Sequence, residues 1–433
     1  MVSIGEMATY IPVAGAFTTY ASRFVDRSLG FSLGWIYWFN WAIVFALELT
    51  ASGLIIQYWA PNLDIGVLIA VFFVVITALN LMPVSVYGEI EFWLSSIKVV
   101  TILGFLIFGI CINAGAGQHG YLGFKTWEHP GAFAPFLADT NETLAENIPL
   151  ARFVGIWAVM IQAGFSYQGT ELVGLAAGET ADPHKSVPKA IRQTFWRILL
   201  FFVLTIFFIG ILVPYDNKQL LNSGTDATSS PLVIAANLAG VSVLPDIING
   251  VLLTVVLSAA NSCVYSGSRV LVGLANDGFA PQIFKETSKS GVPYYAAGFT
   301  SVFGLLGLLN ESSGGGVVFN WLMNIAGVAG FIAWAAIGIS HIAFMRALEA
   351  QGIPRGDLPY TAILQPYFTW YGIGFNVIIV ITQGFQAFMP FSVSDFFAAY
   401  ISLILFIALY LGHKLVTRCP YVKPADANLD TGM

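Results

Sequence analysis

Runs of about 20 apolar residues recur along the whole chain, each long enough to carry an α-helix across a hydrocarbon core of roughly 30 Å. No other feature narrows the possible folds so far. The chain is 57% hydrophobic and only 10% charged, whereas a soluble domain carries roughly 25% charged residues. A membrane β-barrel would show short alternating segments in place of continuous runs. The expected fold class is therefore an all-α polytopic membrane protein. Ten complete spans are predicted, over 31–57, 66–82, 90–112, 152–176, 196–213, 246–270, 294–310, 317–345, 371–389 and 396–416. The longest connection, 113–151, is too short and irregular to enclose a core of its own, so 1–433 forms a single membrane domain with a tail over 417–433.

Lysine and arginine concentrate on the cytosolic side of membrane proteins. If the loop at Arg23 and Arg27 faces the cytosol and the sides alternate, three basic residues (Lys125, Arg152 and Lys218) fall outside and Lys98 falls within a span. The other fourteen of the 18, among them Lys185, Lys189, Arg346, Arg355 and Lys414, fall on the cytosolic side. That asymmetry predicts a cytosolic C-terminus. It also requires "MVSIGEMATYIPVAGAF" to be descending toward the cytosol, as a partial span over 1–20 whose upper half is missing. With no basic leader and no cleavage site, it is a poor signal peptide. The sequons at Asn141 and Asn310 fall in loops assigned outside.

Within the span predicted over 152–176 lies "GFSYQGTELVGLAAGE", with glycines at 164, 169, 174 and 178 and a carboxylate at Glu171. Each interior glycine costs a helix on the order of 1 kcal/mol relative to alanine, and a carboxylate in hydrocarbon costs roughly 2.5–3.5 kcal/mol. A plain anchor would carry neither. Ser166, Gly169 and Thr170 offer the backbone local alternatives to helical bonds, and an unwound stretch survives in lipid only beside protein or a polar cavity. Broken helices of this kind hold the charged groups of a solute at mid-membrane. Carbonyls suit an ammonium and N–H groups suit a carboxylate, so a zwitterion meets both. The competing reading is close helix packing through small residues, with Glu171 satisfied by a neighbour.

Glu48 is a second carboxylate deep in a span, with Asn40 two turns earlier on a similar face. Lys98, in "EFWLSSIKVVTILGF", is the one deep intramembrane Lys or Arg. Charges inside membranes mark ion or substrate paths, and a desolvated lysine loads and releases a proton readily. The alternative is a static Lys–Glu pair joining helices. His341 is expected at the interface, and Trp35, Trp38 and Trp41 are expected in an aromatic belt at a span entrance. Cys111, Cys263 and Cys419 lack metal-ligand spacing. No Ser/His/Asp set, metal cluster or nucleotide fingerprint appears, which points away from an enzyme.

"FSYQGTELVGLAAGETADPHKSVPKAIRQTFWRI", "LSAANSCVYSGSRVLVGLANDGFAP", "GVPYYA" and "FNWLMNIAGVAGFIAWAAIGISHIAFMRALEAQGIPRGDLPY" resemble the fungal amino acid permeases of the amino acid–polyamine–organocation superfamily. The likeness runs from "GEMATYIPVAGAF" to "LGHKLVTR", and the phrasing is most similar to the arginine and lysine branch. It implies an inverted-repeat (5+5)+2 transporter fold that works by alternating access, here lacking the first span and half of the second. It implies that Phe165, Ser166, Tyr167, Gly169, Thr170 and Glu171 form the sixth-span break and meet the substrate amino group. Lys98 falls where proton-coupled relatives carry a lysine. Asn40, Asn324 and Ala326 are expected to set side-chain selectivity, and Glu48 joins them as a substrate-binding candidate because the two spanning glutamates outnumber Lys98.

The resemblance further implies proton symport across the fungal plasma membrane, with the proton gradient as driving force and no bound cofactor. The implied partners are an amino acid and the bilayer, with no nucleic acid, plus trafficking and ubiquitination machinery for a full-length protein. The glycine-rich break of the family's first span binds the substrate carboxylate and is missing from this sequence, so a chain beginning at Met1 is expected not to transport. Either the gene model lost its front or the chain is a relic: a glycine-interrupted apolar span in frame upstream of Met1 would support the first, and stop codons throughout would support a non-functional fragment. A broad-range permease and a nutrient receptor that binds without transport are the competing functions.

Overall fold

The computed structural model describes residues 1–13, 16–118, 120–136, 142–175, 182–221, 230–241, 243–309 and 315–429. Asn141, Asn310 and the end of the tail lie outside them. The described residues form eight helices long and apolar enough to cross a membrane and two shorter apolar ones. In chain order the helices that build the molecule are α1 (Val2–Tyr10), α2 (Ala16–Phe24), α3 (Arg27–Gln57), α4 (Ile65–Asn80) and α5 (Val84–Ala116). They continue with α6 (Ile148–Phe165), α7 (Leu172–Leu175), α8 (Pro183–Leu212), α9 (Leu244–Asn276) and α10 (Tyr294–Leu309). The last are α11 (Gly315–Ala350), α12 (Tyr367–Ala387) and α13 (Val393–Thr417).

α3 and α11 are apolar nearly all round, the signature of a helix enclosed by others, and they occupy the centre. α3 packs against α9, α11, α13, α2, α10 and α4. Leu33, Ile36, Tyr37, Phe45 and Leu49 on α3 and Ala326, Ala329 and Phe344 on α11 are fully or almost fully buried. The outer helices turn apolar side chains outward, among them Val67, Val71, Val74, Val100, Ile107 and Ile206, a surface of the kind that faces lipid in a membrane protein. α3 begins at Asp26, whose Oδ1 accepts from the Leu29 amide at 2.7 Å, and α4 begins at Asp64, which accepts from the Gly66 amide at 2.7 Å. These caps satisfy amides that the first turn leaves free.

Three expectations are corrected. Residues 1–20 do not form one continuous half-span. α1 ends at Tyr10 and α2 starts at Ala16, because Pro12 has no amide hydrogen and disfavours helical geometry in the residue before it. The three tryptophans are not a lipid-facing belt. Trp38 and Trp41 are buried, Trp38 Nε1 donates to Thr300 Oγ1 at 3.0 Å and Trp35 Nε1 donates to the Phe279 carbonyl at 3.1 Å. They sit on a helix surrounded by protein, so the N–H groups of Trp35 and Trp38 bond inward. His341 is not interfacial. It is fully buried, its Nε2 lies 2.5 Å from Glu6 Oε2 and its Nδ1 lies 3.1 Å from Thr369 Oγ1.

The buried Glu6 ties four segments together. Besides His341 on α11, it accepts from Arg355 Nε at 3.1 Å and from the Ala362 amide at 2.6 Å, with Arg355 Nη2 as a further donor. The C-terminal segment folds back over the same basic end. The Val422 amide donates to the Val25 carbonyl at 2.8 Å, and Gln351 Nε2 donates to the Ala427 carbonyl at 2.7 Å.

α3 and α10 touch without an intervening side chain at Gly304, where an added methyl would collide with the ring of Phe45 and crowd Leu49. Gly304→Ala is expected to destabilise the protein by about 1–3 kcal/mol through overpacking. The measurement is thermal unfolding in detergent, and an unchanged midpoint would refute the contact.

Candidate functional site

The span that carries the glycine-rich stretch is interrupted. α6 starts behind Asn147, whose Oδ1 accepts from the Leu150 amide at 3.2 Å, and stops at Phe165, while α7 begins at Leu172. Between them the chain runs as turns. The Tyr167 and Gln168 amides reach back three residues, to the carbonyls of Gly164 at 3.0 Å and Phe165 at 3.1 Å. Gly169 then takes φ +88°, a conformation that costs other residues a Cβ clash. Among the described residues the carbonyl oxygens of Ser166, Gln168 and Thr170 accept no hydrogen bond.

Glu171 closes the interruption. It is 2% exposed. Its Oε1 accepts from Tyr37 Oη at 2.9 Å and from the Gly169 amide at 3.2 Å, and its Oε2 accepts from Trp334 Nε1 at 3.1 Å. The carboxylate thus holds the turn to α3 and α11. Gln168 adds a second tie, with Nε2 donating to the Ala326 carbonyl at 2.9 Å. Tyr167 and Thr170 line a cavity of about 320 Å³ whose far walls include Trp334, Ile337, Thr369 and Asn376.

α3 presents a polar face to the interruption. Tyr37, Asn40 and Trp41 stand three and four positions apart, one above another on one side of the helix. Asn40 is 1% exposed and, among the described residues, its Oδ1 has no partner. A buried amide oxygen left without a donor costs about 1–3 kcal/mol, so this face is short of a hydrogen-bonding group.

Lys98 belongs to a different group, between α5 and α9. Its Nζ donates to Ser258 Oγ at 2.6 Å and pairs with Glu91 Oε1 at 3.5 Å. Ser258 Oγ lies 2.7 Å from both Glu91 oxygens. Glu48 on α3 feels the Lys98 charge through space but makes no hydrogen bond among the described residues. Glu91 and Ser258 were not among the expected site residues. Glu91 was findable, since it precedes Lys98 by seven residues, two turns on the same helix face.

The expected residues therefore separate into groups. Phe165 to Glu171 and Asn40 meet around the interruption. Glu48 lies within reach of the Lys98 charge but does not contact it. Ala326 is fully buried and reaches the interruption only through its carbonyl. Asn324 turns away from the interruption into another cavity, shared with Gln162 and Asp395.

The sequence pattern of the amino acid permease family matches residues 1–423. The chain belongs to this family. Among its relatives, the lysine-specific permease of Saccharomyces cerevisiae is 45% identical over 99% of this chain and 69% of its own length. The basic amino-acid permease of the same yeast is 46% identical over 99% of this chain and 74% of its own length. The general amino-acid permease of that yeast is 40% identical over 100% of this chain and 71% of its own length. These permeases are transporters rather than enzymes, and membership with eight candidate spans makes this a multi-pass membrane permease for amino acids.

Proposed function

We propose that this permease moves lysine and arginine across the plasma membrane together with protons, by alternating access about the α6 interruption. The observation that carries the reading is the fractured helix itself. The carbonyls of Ser166, Gln168 and Thr170 are free among the described residues, and Thr170 lines a cavity beside the break, an arrangement that suits an ammonium group. Phe165, Tyr167 and Gly169 shape the turn, Glu171 fixes it and supplies negative charge, and Asn40 offers its unpaired oxygen to the substrate. On α11, Ala326 positions the turn through its carbonyl, while Asn324 faces the other cavity. The preference for basic substrates is supported by the names of the two relatives at 45% and 46% identity.

Proton coupling is assigned to Lys98, held between Glu91 and Ser258 with Glu48 as the facing carboxylate. The membrane proton gradient is the driving force, and trafficking and ubiquitination machinery acts on the full-length protein. In a protein restored to full length, uptake of labelled lysine should rise as the external pH falls, and pH-independent uptake would remove the coupling. Excess leucine should leave lysine uptake unchanged. Competition by leucine would instead support a broad-range carrier, like the general permease at 40% identity.

A further inference from the structure

At the end of α11 opposite the Glu6–His341 cluster lies a cavity of about 420 Å³ between α6, α11, α12 and α13. Its size is that of a small-molecule site, which spans roughly 300–1,000 Å³. Its walls carry an unusual surplus of polar groups. Gln162 on α6 has a fully enclosed Oε1 with no partner. Asn320 and Asn324, four positions apart on one face of α11, line it with carboxamides that make no hydrogen bond among the described residues. Asp395 on α13 accepts one bond, from Trp321 Nε1 at 3.3 Å. Gln383 is already spent, donating to the Ala399 carbonyl at 2.6 Å.

Among the described lining residues Asp395 is the sole charge. The enclosed Gln162 oxygen and the singly bonded Asp395 carboxylate call for N–H donors and a positive charge, while the amides of Asn320, Asn324 and Gln386 can both give and accept. Asn320 and Asp395 are exposed and Asn324 is half-buried, so of these groups only the enclosed Gln162 Oε1 bears the cost of being unpaired, about 1–3 kcal/mol, which a donor on a bound solute would offset. Gln162 also stands one turn before the interruption, and its carbonyl accepts from Ser166 Oγ at 3.4 Å. A solute held here would lie one helical turn from the broken segment.

We propose that this cavity is a second binding site for a cationic amino acid, separate from the α6 interruption. Asp395 meets the side-chain cation, and Gln162, Asn320 and Asn324 hold the α-ammonium and α-carboxylate. The proposal rests on the basic-substrate reading above and adds a site to it.

The test is equilibrium binding of labelled lysine to the purified chain in detergent, with leucine as the uncharged comparison. Asp395→Asn is expected to weaken lysine binding at least about tenfold, the loss of a charge-assisted contact, and to leave leucine binding unchanged. Gln162→Leu replaces an unpaired buried amide, so it should weaken lysine binding while keeping or raising the melting temperature. That second variant separates loss of a ligand contact from loss of folding. Lysine binding that survives both substitutions at full strength overturns the second site and leaves the basic-substrate reading standing. Leucine bound as tightly as lysine by the unmodified chain overturns both.

Discussion

Replacement of Glu6 by alanine is expected to destabilise the basic end of the bundle by about 3–5 kcal/mol, the cost of breaking a buried ion pair from one side. Glu6 and His341 are fully buried, and Arg355 and the Ala362 amide point at the same carboxylate. Removing it strands a guanidinium, an imidazole and a backbone amide together. Glu6→Gln keeps the shape and one acceptor but discards the charge, so it should fall between alanine and the native residue. Thermal unfolding in detergent reads the series. A Glu6→Ala protein that melts where the native one does would show that the cluster holds nothing together.

The second large effect is expected at Glu171. In a protein restored to full length, Glu171→Gln should lower lysine uptake about tenfold to a hundredfold, since replacing one acceptor oxygen by an NH₂ costs about 1–3 kcal/mol. Both carboxylate oxygens are engaged by donors, from Tyr37, Trp334 and the Gly169 amide. Whichever way the amide turns, its NH₂ faces one of those N–H or O–H groups, and the negative charge beside the free carbonyls is gone. Surface expression should be unaffected, because the clash is confined to the turn. Native uptake by the variant would refute the role assigned to Glu171, whereas loss of the protein from the membrane would assign the carboxylate to folding instead.

The interruption in α6 was legible because glycine, serine and threonine stand where a helix in lipid can least bear them, and Glu171 adds a charge there. Such local conflicts survive only for a reason, so they announce themselves in one dimension. The Glu6–His341 pair was not legible. Its two members stand 335 positions apart, and neither residue shows in its own neighbourhood that the other will bury it. The tryptophans of α3 misled for a related reason. Aromatic residues near the end of an apolar run look the same whether lipid or protein surrounds them, and only the central position of α3 decides. The break between α1 and α2 was visible in Pro12, yet the run of apolar residues around it suggested one continuous descent. Asn324 was recognised as a polar residue in a span, but the direction in which it points depends on how α11 is rotated against α6 and α13. That rotation is set by packing, not by the local pattern.

α3 imposes a geometric condition on any coupling between the two groups of polar residues. Tyr37, which grips the interruption, and Glu48, which faces Lys98, stand eleven positions apart on α3, about three turns and roughly 16 Å along one side of the rod. With no proline within it and neighbours on every flank, this rod has no hinge to shorten or bend. A change in protonation at one station therefore has to reach the other by sliding or tilting α5, α6 or α9 along a fixed ruler. Cross-links that pin α3 to itself should be harmless, whereas a bridge from α3 to any of those three should freeze the cycle.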